Sequence, residues 1–446
     1  MSESLDQSNP RIEYKDVQVG PDRIAVPVDW ETTTMEDVTE KFISGGTPDS
    51  DEEAYWGGEI PWTTCAVVEG PIFEGEKDFI TEDGLAKSTA SLVPAGCILF
   101  GTRVNVANVG RTKRDIAISQ DLTGIVVDET KINPDYLTWY LLFNQSKIRE
   151  RYSQGSTIQG MITSDLKSLQ ILTPPLPEQR RIADILSKAD AQVRWTDEII
   201  DETKELKRGI LNDLIPRGIN EMGELRPNPE DQPDLYKDVQ RYKIPTEWKV
   251  ATLQEICDKD ITYGIVQAGP HVDDGVPYIK TGDMTGENLN SDELSRTSEE
   301  IACDYDRSKI QQGELVITVR ATIGVAKQVP VELDGANLSR GAARISPGDS
   351  ICNRYLLWAL RSSMVQSLMQ ARTNGSTFDE IKIGTLRKIP IPYPADIAEQ
   401  RAISDRLDVI SETLDVEKAQ LSGLKKLKRG LMQDLLTGKV RVKPES

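Results

Sequence analysis

The chain has a single histidine, His271, in 446 residues. One histidine cannot build a His-rich metal site, a His–Asp relay or a zinc-protease motif. His271 follows Gly269-Pro270 and reads as a loop residue. The five cysteines, Cys65, Cys97, Cys257, Cys303 and Cys352, are scattered, odd in number and never spaced Cys-x-x-Cys. They read as buried thiols in a reducing cytoplasm. No apolar run reaches the ~18 residues of a membrane-spanning helix. The acidic, polar N-terminus carries no secretory pattern, so a cytoplasmic protein is expected. Basic residues are in deficit: 53 Lys plus Arg against 72 Asp plus Glu, a net charge of −19. Taken alone, that balance argues against nucleic-acid binding, which usually leaves a basic footprint. There is no Gly-x-x-x-x-Gly-Lys-Ser/Thr phosphate loop, no Asn/Asp-Pro-Pro-Tyr/Phe motif and no nucleophile–base pair. No catalytic residue, cofactor site or metal site is expected.

What the chain does have is two copies of one pattern. Pro177-Glu178-Gln179-Arg180-Arg181 opens a run ending at Leu214; Ala398-Glu399-Gln400-Arg401 opens another ending at Leu435. Ile182, Leu186, Ala189, Val193, Ile200, Leu206, Ile210 and Leu214 lead the first run. At an offset of 221, Ile403, Leu407, Ile410, Leu414, Leu421, Leu427, Leu431 and Leu435 lead the second. Steps of mostly four and three predict a coiled-coil seam on each of two long helices. Each would extend roughly 55 Å at ~1.5 Å per residue. Two matching seams in one chain predict that the helices pack on each other.

Everything ahead of each helix is also doubled. Pro27 and Trp30 match Pro245 and Trp248, each pair followed by a helix-like segment, 35–42 and 253–258. Turn-rich stretches follow, Ser44-Gly45-Gly46-Thr47-Pro48 and Thr262-Tyr263-Gly264-Ile265. Such Gly and Pro density marks turns between short strands. Apolar strands at 97–103 and 315–320 come next, then 116–120 and 336–340. Helices are expected over 134–151 and 353–371. Gly155-Ser156-Thr157 matches Gly375-Ser376-Thr377. The period is far longer than a solenoid repeat, so a duplicated domain is expected. The boundaries read as a flexible leader at 1–22, a module at 23–176, a helix at 177–215 and a linker at 216–241. A second module at 242–396, a helix at 397–436 and a tail at 437–446 complete the chain.

A strand-rich module, a long helix opening on Glu-Gln, and both again: this order resembles the specificity subunit of type I restriction–modification systems. The resemblance rests on Ser44-Gly45-Gly46-Thr47-Pro48, Ile60-Pro61-Trp62, Gly155-Ser156-Thr157, Pro174-Pro175-Leu176-Pro177-Glu178-Gln179 and the Leu-Lys-Arg-Gly endings. It covers about residues 22–442. It implies an α+β fold with two similar mixed target-recognition domains separated by a pair of long antiparallel coiled-coil helices. It implies double-stranded DNA as ligand, each domain reading half of a split site. It also implies two methyltransferase subunits as partners and, in the full complex, restriction subunits. S-adenosylmethionine, ATP and Mg2+ would then sit on those partners. No membrane partner is implied.

Base edges are read by Arg, Lys, Asn, Gln, Ser and Thr. The candidates in loops or at strand ends are Arg103, Gln120, Ser156, Thr157, Gln159, Lys280, Thr281, Arg320, Arg340, Ser376 and Thr377. Paired positions also mark shared turns and strand ends, so each has a structural reading beside the functional one. The basic runs 204–208 and 425–429 suit either a helix C-terminal dipole or contact with phosphate or a partner. The acidic balance is similar to that of proteins from salt-loving organisms. At molar salt the Debye length is about 3 Å, which removes long-range repulsion from DNA. The alternative function is a coiled-coil interaction scaffold without DNA readout. It accounts for the helices but not for the doubled Gly/Pro-rich modules.

Overall fold

The computed structural model describes residues 13–152, 160–286, 289, 291, 294–373 and 379–443. The chain divides into two compact units, 1–197 with 419–446, and 198–418. Each unit therefore holds one module plus a part of both long helices.

In the first unit the apolar runs become central strands. Ile98–Gly101 is buried along its length and lies between Leu122–Val127 and Val109–Thr112, both antiparallel to it. Thr39–Ser44 and Ile72–Phe73 complete a five-stranded sheet. A four-stranded sheet runs Asp78–Ile80, Trp56–Thr63, Ile116–Ile118, Ser91–Val93. The helix Pro134–Tyr152 buries Tyr136, Leu137, Trp139 and Leu141 against Trp30, Met35 and Phe100. The hairpin Tyr14–Val19/Asp22–Pro27 lies partly within the stretch read as a leader. The helix-like segment at 35–42 is a turn followed by a strand. Thr34 N donates to Asp37 Oδ2 at 3.1 Å to close the turn, and Thr39–Ser44 then pairs with Leu122–Val127.

The second unit repeats the plan. Leu315–Thr318 is fully buried between Ala342–Ile345 and Ala326–Gln328. Thr262–Tyr263 extends this sheet, and Val276–Ile279 centres a three-stranded one. Trp248, Tyr355 and Trp358 take the core places of Trp30, Tyr136 and Trp139. The helix expected over 353–371 is broken into Asn353–Arg361 and Ser363–Gln370. Ser362 is the cause: it is extended (ψ 148°) and its hydroxyl accepts from Val365 N, capping the second piece. The segment 253–258 is turns, not helix. The stretch read as a linker contains the strand Tyr236–Val239, paired with Tyr242–Pro245.

The long helices are Leu176–Arg217 and Ile397–Leu435, of 42 and 39 residues. Within the first unit Asp190 meets Lys428 (2.5 Å) and Glu178 meets Arg441 (2.7 Å). Within the second, Lys207 meets Ser411 (2.9 Å), and Ile219 N, just past the first helix, meets Glu399 (3.1 Å). Partner numbers fall as helix numbers rise in both, so the helices run antiparallel. Ile182, Leu186, Val193, Ile200, Ile403, Leu407, Leu414 and Leu421 are buried; Ala189, Ile210, Ile410 and Leu431 are half-buried. Leu206 and Leu427 are corrections to the expected seam: each is 57% exposed. In heptad phase the seam passes from Ile200 through Thr203 and Lys207, and from Leu421 through Leu424 and Lys428.

The fold is thus α+β, with two similar mixed modules and a pair of long antiparallel helices. Among the described residues no helix is long and apolar enough to cross a membrane.

Candidate nucleic-acid interface

Two of the sequence candidates lie at one end of one strand pair in each module. In the first, Gly101 pairs with Leu122, and Thr102 N donates to Asp121 O at 2.9 Å. Arg103 and Gln120 follow next on the two strands, beyond the paired residues. In the second, Thr318 pairs with Ala342, and Val319 N donates to Gly341 O at 2.9 Å. Arg320 and Arg340 follow next on the two strands, where Arg320 bridges to Glu380 and Arg340 N donates to Ile265 O at 2.8 Å. The apolar strands dictate this, because their buried alternation fixes register and so fixes which residues emerge together.

The loops beyond these strand ends are held in matching ways. Ala107 N donates to Gly101 O (2.8 Å), and Gly324 N to Thr318 O (3.0 Å). Gln145 Nε2 donates to Ala107 O (3.0 Å), and Gln366 Nε2 to Gly324 O (2.8 Å). Ala107 has a φ of +65° and Gly324 +86°, so this turn needs the left-handed region in both modules. In the first module Arg149 adds hydrogen bonds to Val106 O and Asn108 Oδ1. A loop pinned from behind on a sheet is a suitable mount for a side chain that must hold a fixed position.

The glycine-rich turns pack against the other strand of each site. Gly46 N donates to Ile118 O at 2.9 Å, and Gly264 N to Ser339 O at 3.2 Å. A Cβ on Gly45 would collide with the carbonyls of Ile118 and Ser119, and one on Gly264 with that of Leu338. The close approach places Thr47 so that its hydroxyl donates to Gln120 Oε1, which leaves the Gln120 amide facing solvent.

Individual residues differ in what they are committed to. Arg103 and Arg340 are exposed, and among the described residues neither has a side-chain partner. Arg320 Nε and Nη2 both reach Glu380 Oε1, at 2.9 and 2.7 Å. Lys280 Nζ donates to Ser295 Oγ (2.8 Å), and Thr281 Oγ1 to Gly341 O (3.3 Å), which brings Thr281 to the same strand end. Ser156, Thr157, Gln159, Ser376 and Thr377 lie outside the described residues. Gly160 and Met161, just beyond that stretch, pack on Thr102–Arg103, with Met161 N donating to Thr102 O. Ile381 N donates to Val319 O in the same manner.

The thiol at this site is not reactive. Burial and the nearby Asp121 push Cys65 up to about 12, so it stays protonated at neutral pH. Among the described residues no group of His, Cys, Asp and Glu is arranged to hold a metal.

The start of each long helix carries a second duplicated device that sequence reasoning passed over. Glu178 accepts from Trp30 Nε1 (3.2 Å) and from Arg441 (2.7 Å), while Arg441 also pairs with Asp29 (2.7 Å). Glu399 accepts from Trp248 Nε1 (3.3 Å) and Arg226 (2.5 Å), while Arg226 also pairs with Glu247 (2.7 Å). The Arg441 hydrogen bond holds the Asp29 carboxyl below the usual carboxylate range. The adjacent glutamines are fully buried clasps. Gln179 accepts from Asn133 N (2.7 Å) and donates to Pro174 O (2.7 Å); Gln400 does the same with Cys352 N (2.7 Å) and Pro394 O (2.9 Å). The repeated Glu-Gln at offset 221, with matched tryptophans upstream, was the available signal.

In the seam, Lys428 lies against Asp190 with its ammonium 5.3 Å from the Trp139 ring centroid. Lys207 lies against Ser411, 5.1 Å from that of Trp358. Each lysine is thus held by a polar seam partner and an aromatic face.

Comparison with known proteins agrees with this doubled plan. The type I restriction modification DNA specificity domain matches residues 27–205 and again 245–426. The MjaVIII type I restriction enzyme specificity subunit of Methanocaldococcus jannaschii is 23% identical over 439 residues, covering 94% of this chain and 95% of the relative. The EcoBI specificity subunit of Escherichia coli is 25% identical over 325 residues, 72% of this chain and 67% of the relative. The solved S subunit of a type I restriction-modification system from M. genitalium shares the fold, with a TM-score of 0.58 at 17% identity over 98% of this chain and 99% of that one. With the specificity domain present in both halves, the chain belongs to the type I restriction–modification DNA specificity family.

Proposed function

We propose that this chain is the DNA-reading, non-catalytic subunit of a type I restriction–modification complex and that each module reads one half of a bipartite site. The observation that supports this best is the repeated strand-pair end, where side chains able to read bases emerge on a loop pinned from behind. The modules differ there, with Arg103 and Gln120 in the first against Arg340 in the second, where Arg320 is tied to Glu380, so the two half-sites should differ in sequence. The long helices would set the unread spacer between them. S-adenosylmethionine, ATP and Mg2+ chemistry would belong to partner subunits working beside it in the cytoplasm.

Docking of two methyltransferase subunits is supported by Leu206 and Leu427. They occupy equivalent positions 221 apart, both 57% exposed, each inside a basic run. Matched apolar side chains left in solvent fit a surface that is covered twice by the same partner. The test is co-purification with a methyltransferase subunit, followed by mapping adenine methylation on genomic DNA. The expected result is a split site, one half of which changes when one module is exchanged. Co-purification without any sequence preference in methylation would support the scaffold reading instead.

A further inference from the structure

The two modules are built alike, yet the arginine that each leaves without a partner among the described residues comes from a different strand. Arg103 and Arg320 are counterparts: both lie two residues past the paired end of the central strand. Their neighbours are not alike. Glu380 bonds Arg320 through both Nε and Nη2. The counterpart of Glu380 in the first module is Gly160, which packs on the Arg103 backbone and offers no carboxylate. Across the strand pair the difference is reversed: the first module has neutral Gln120 and the second has Arg340. Among the described residues, each site therefore keeps one strand-end guanidinium without a side-chain partner. It is Arg103 in the first module and Arg340 in the second.

An arginine tied to a carboxylate has its donor fork occupied. An unpaired one can present two parallel N–H groups to guanine O6 and N7, the most frequent specific base contact. We propose that Arg103 and Arg340 are the guanine-reading residues of the two half-sites, and that Arg320 is a positioning residue that closes its loop onto Glu380. This rests on the DNA-reading function proposed above. It adds that the specificity-determining arginine has moved from one strand of the pair to the other.

The experiment starts with the full chain, together with its methyltransferase partner, selecting from a pool of randomised DNA duplexes. Single-base-pair variants of the selected consensus are then measured with Arg103→Ala, Arg340→Ala, Arg320→Ala and the charge-preserving Arg103→Lys and Arg340→Lys. Arg103→Ala and Arg340→Ala should each lose roughly 5- to 150-fold of discrimination at one G·C pair, in different half-sites. The lysine variants should keep overall affinity and lose the same discrimination, because an ammonium lacks the planar fork. Arg320→Ala should leave every base preference unchanged and lower the thermal midpoint. Equal weakening on all sequences in Arg103→Ala or Arg340→Ala, with a salt slope reduced by about one, would mean phosphate contacts and overturn the assignment. Relaxed specificity in Arg320→Ala would overturn it as well. A wild-type selection with no consensus would overturn the DNA-reading function itself, and the assignment with it.

Discussion

Arg441 and Glu178 lie 263 positions apart in the chain and 2.7 Å apart in the fold. The contact ties the segment after the second helix to the start of the first, and Arg226 with Glu399 does the equivalent in the other unit. Glu178 is almost fully buried, so removing its partner strands a carboxylate in an apolar site. Arg441→Ala should cost about 3 kcal/mol, the low end for breaking a buried pair, since Trp30 still donates to Glu178. Urea denaturation of the two proteins at neutral pH measures it.

The same arginine makes a prediction in pH through Asp29. The Asp29 carboxyl is held below its ordinary value by its hydrogen bond with Arg441. Its stabilisation is therefore complete above the unfolded value, about 3.9, and is lost as pH falls through the folded value beneath that. The stability gap between wild type and Arg441→Ala should stay constant from about pH 6 to 8 and narrow in the acid range below ~4. A gap that widened on acidification would contradict this pairing.

Gln400 holds two backbone groups that no water reaches easily. Gln400→Leu would leave Cys352 N and Pro394 O without their side-chain partner, at roughly 1–3 kcal/mol for each group left unpaired. Hydrogen exchange gives a local readout. The Cys352 amide should exchange much faster in the variant, while the Asn133 amide, held by Gln179, should not change.

The duplication was legible because paired apolar positions persist through loop insertions, and so the fold class was as well. The seam was legible only in part. Polar residues occupy several seam positions, and the eye follows leucine; Lys207 and Lys428 hold the phase that Leu206 and Leu427 were assigned. The Glu-Gln motif was visible, but its partners Arg226 and Arg441 give no local sign of their role. The contrast between Arg103 and Arg320 was out of reach for the same reason. Glu380 lies 60 residues from the arginine it neutralises, and nothing in the intervening sequence announces the pairing. Local pattern fixes elements and register, whereas long-range polar contacts depend on how loops return to the sheet.

Seam and surface leucines should behave in opposite ways. Ile200→Ala removes a buried side chain and should cost about 2–5 kcal/mol. Leu206→Lys with Leu427→Lys should change stability by no more than about 0.5 kcal/mol for each site, because both are mostly in solvent. If these leucines dock methyltransferase subunits, the double lysine variant will fold normally and fail to co-purify with them. Retained co-purification at wild-type yield would remove the docking role.

If the helices set the spacer, its length should follow theirs. Deleting seven residues from each helix keeps the seam in phase and removes about 10 Å of rise. At ~3.4 Å per base pair, the unread spacer should shorten by roughly three base pairs, with both half-sites unchanged. Methylation mapping reads spacer and half-sites in one experiment. An unchanged spacer in a folded variant would separate helix length from site geometry.

The net charge of −19 bears on how DNA is held. A strongly acidic chain gains little from a general field, so binding should depend on a few direct contacts and on partner subunits. Each neutralised phosphate contributes about −0.9 to the slope of log affinity against log salt. Among the described residues, the exposed cations without a side-chain partner at the two sites, Arg103 and Arg340, are few, and Arg320 is tied to Glu380. The slope for the isolated chain should therefore be shallow, about −1 to −3, where a protein with 6–10 phosphate contacts would show several times more. Acidic surface charge repels itself least when screened, so thermal stability should rise from low to molar salt over the same series. Titrating one fluorescent duplex across that range measures the first, and melting curves in the same buffers measure the second. A steep slope would mean a phosphate-gripping surface that the positions of these cations do not provide.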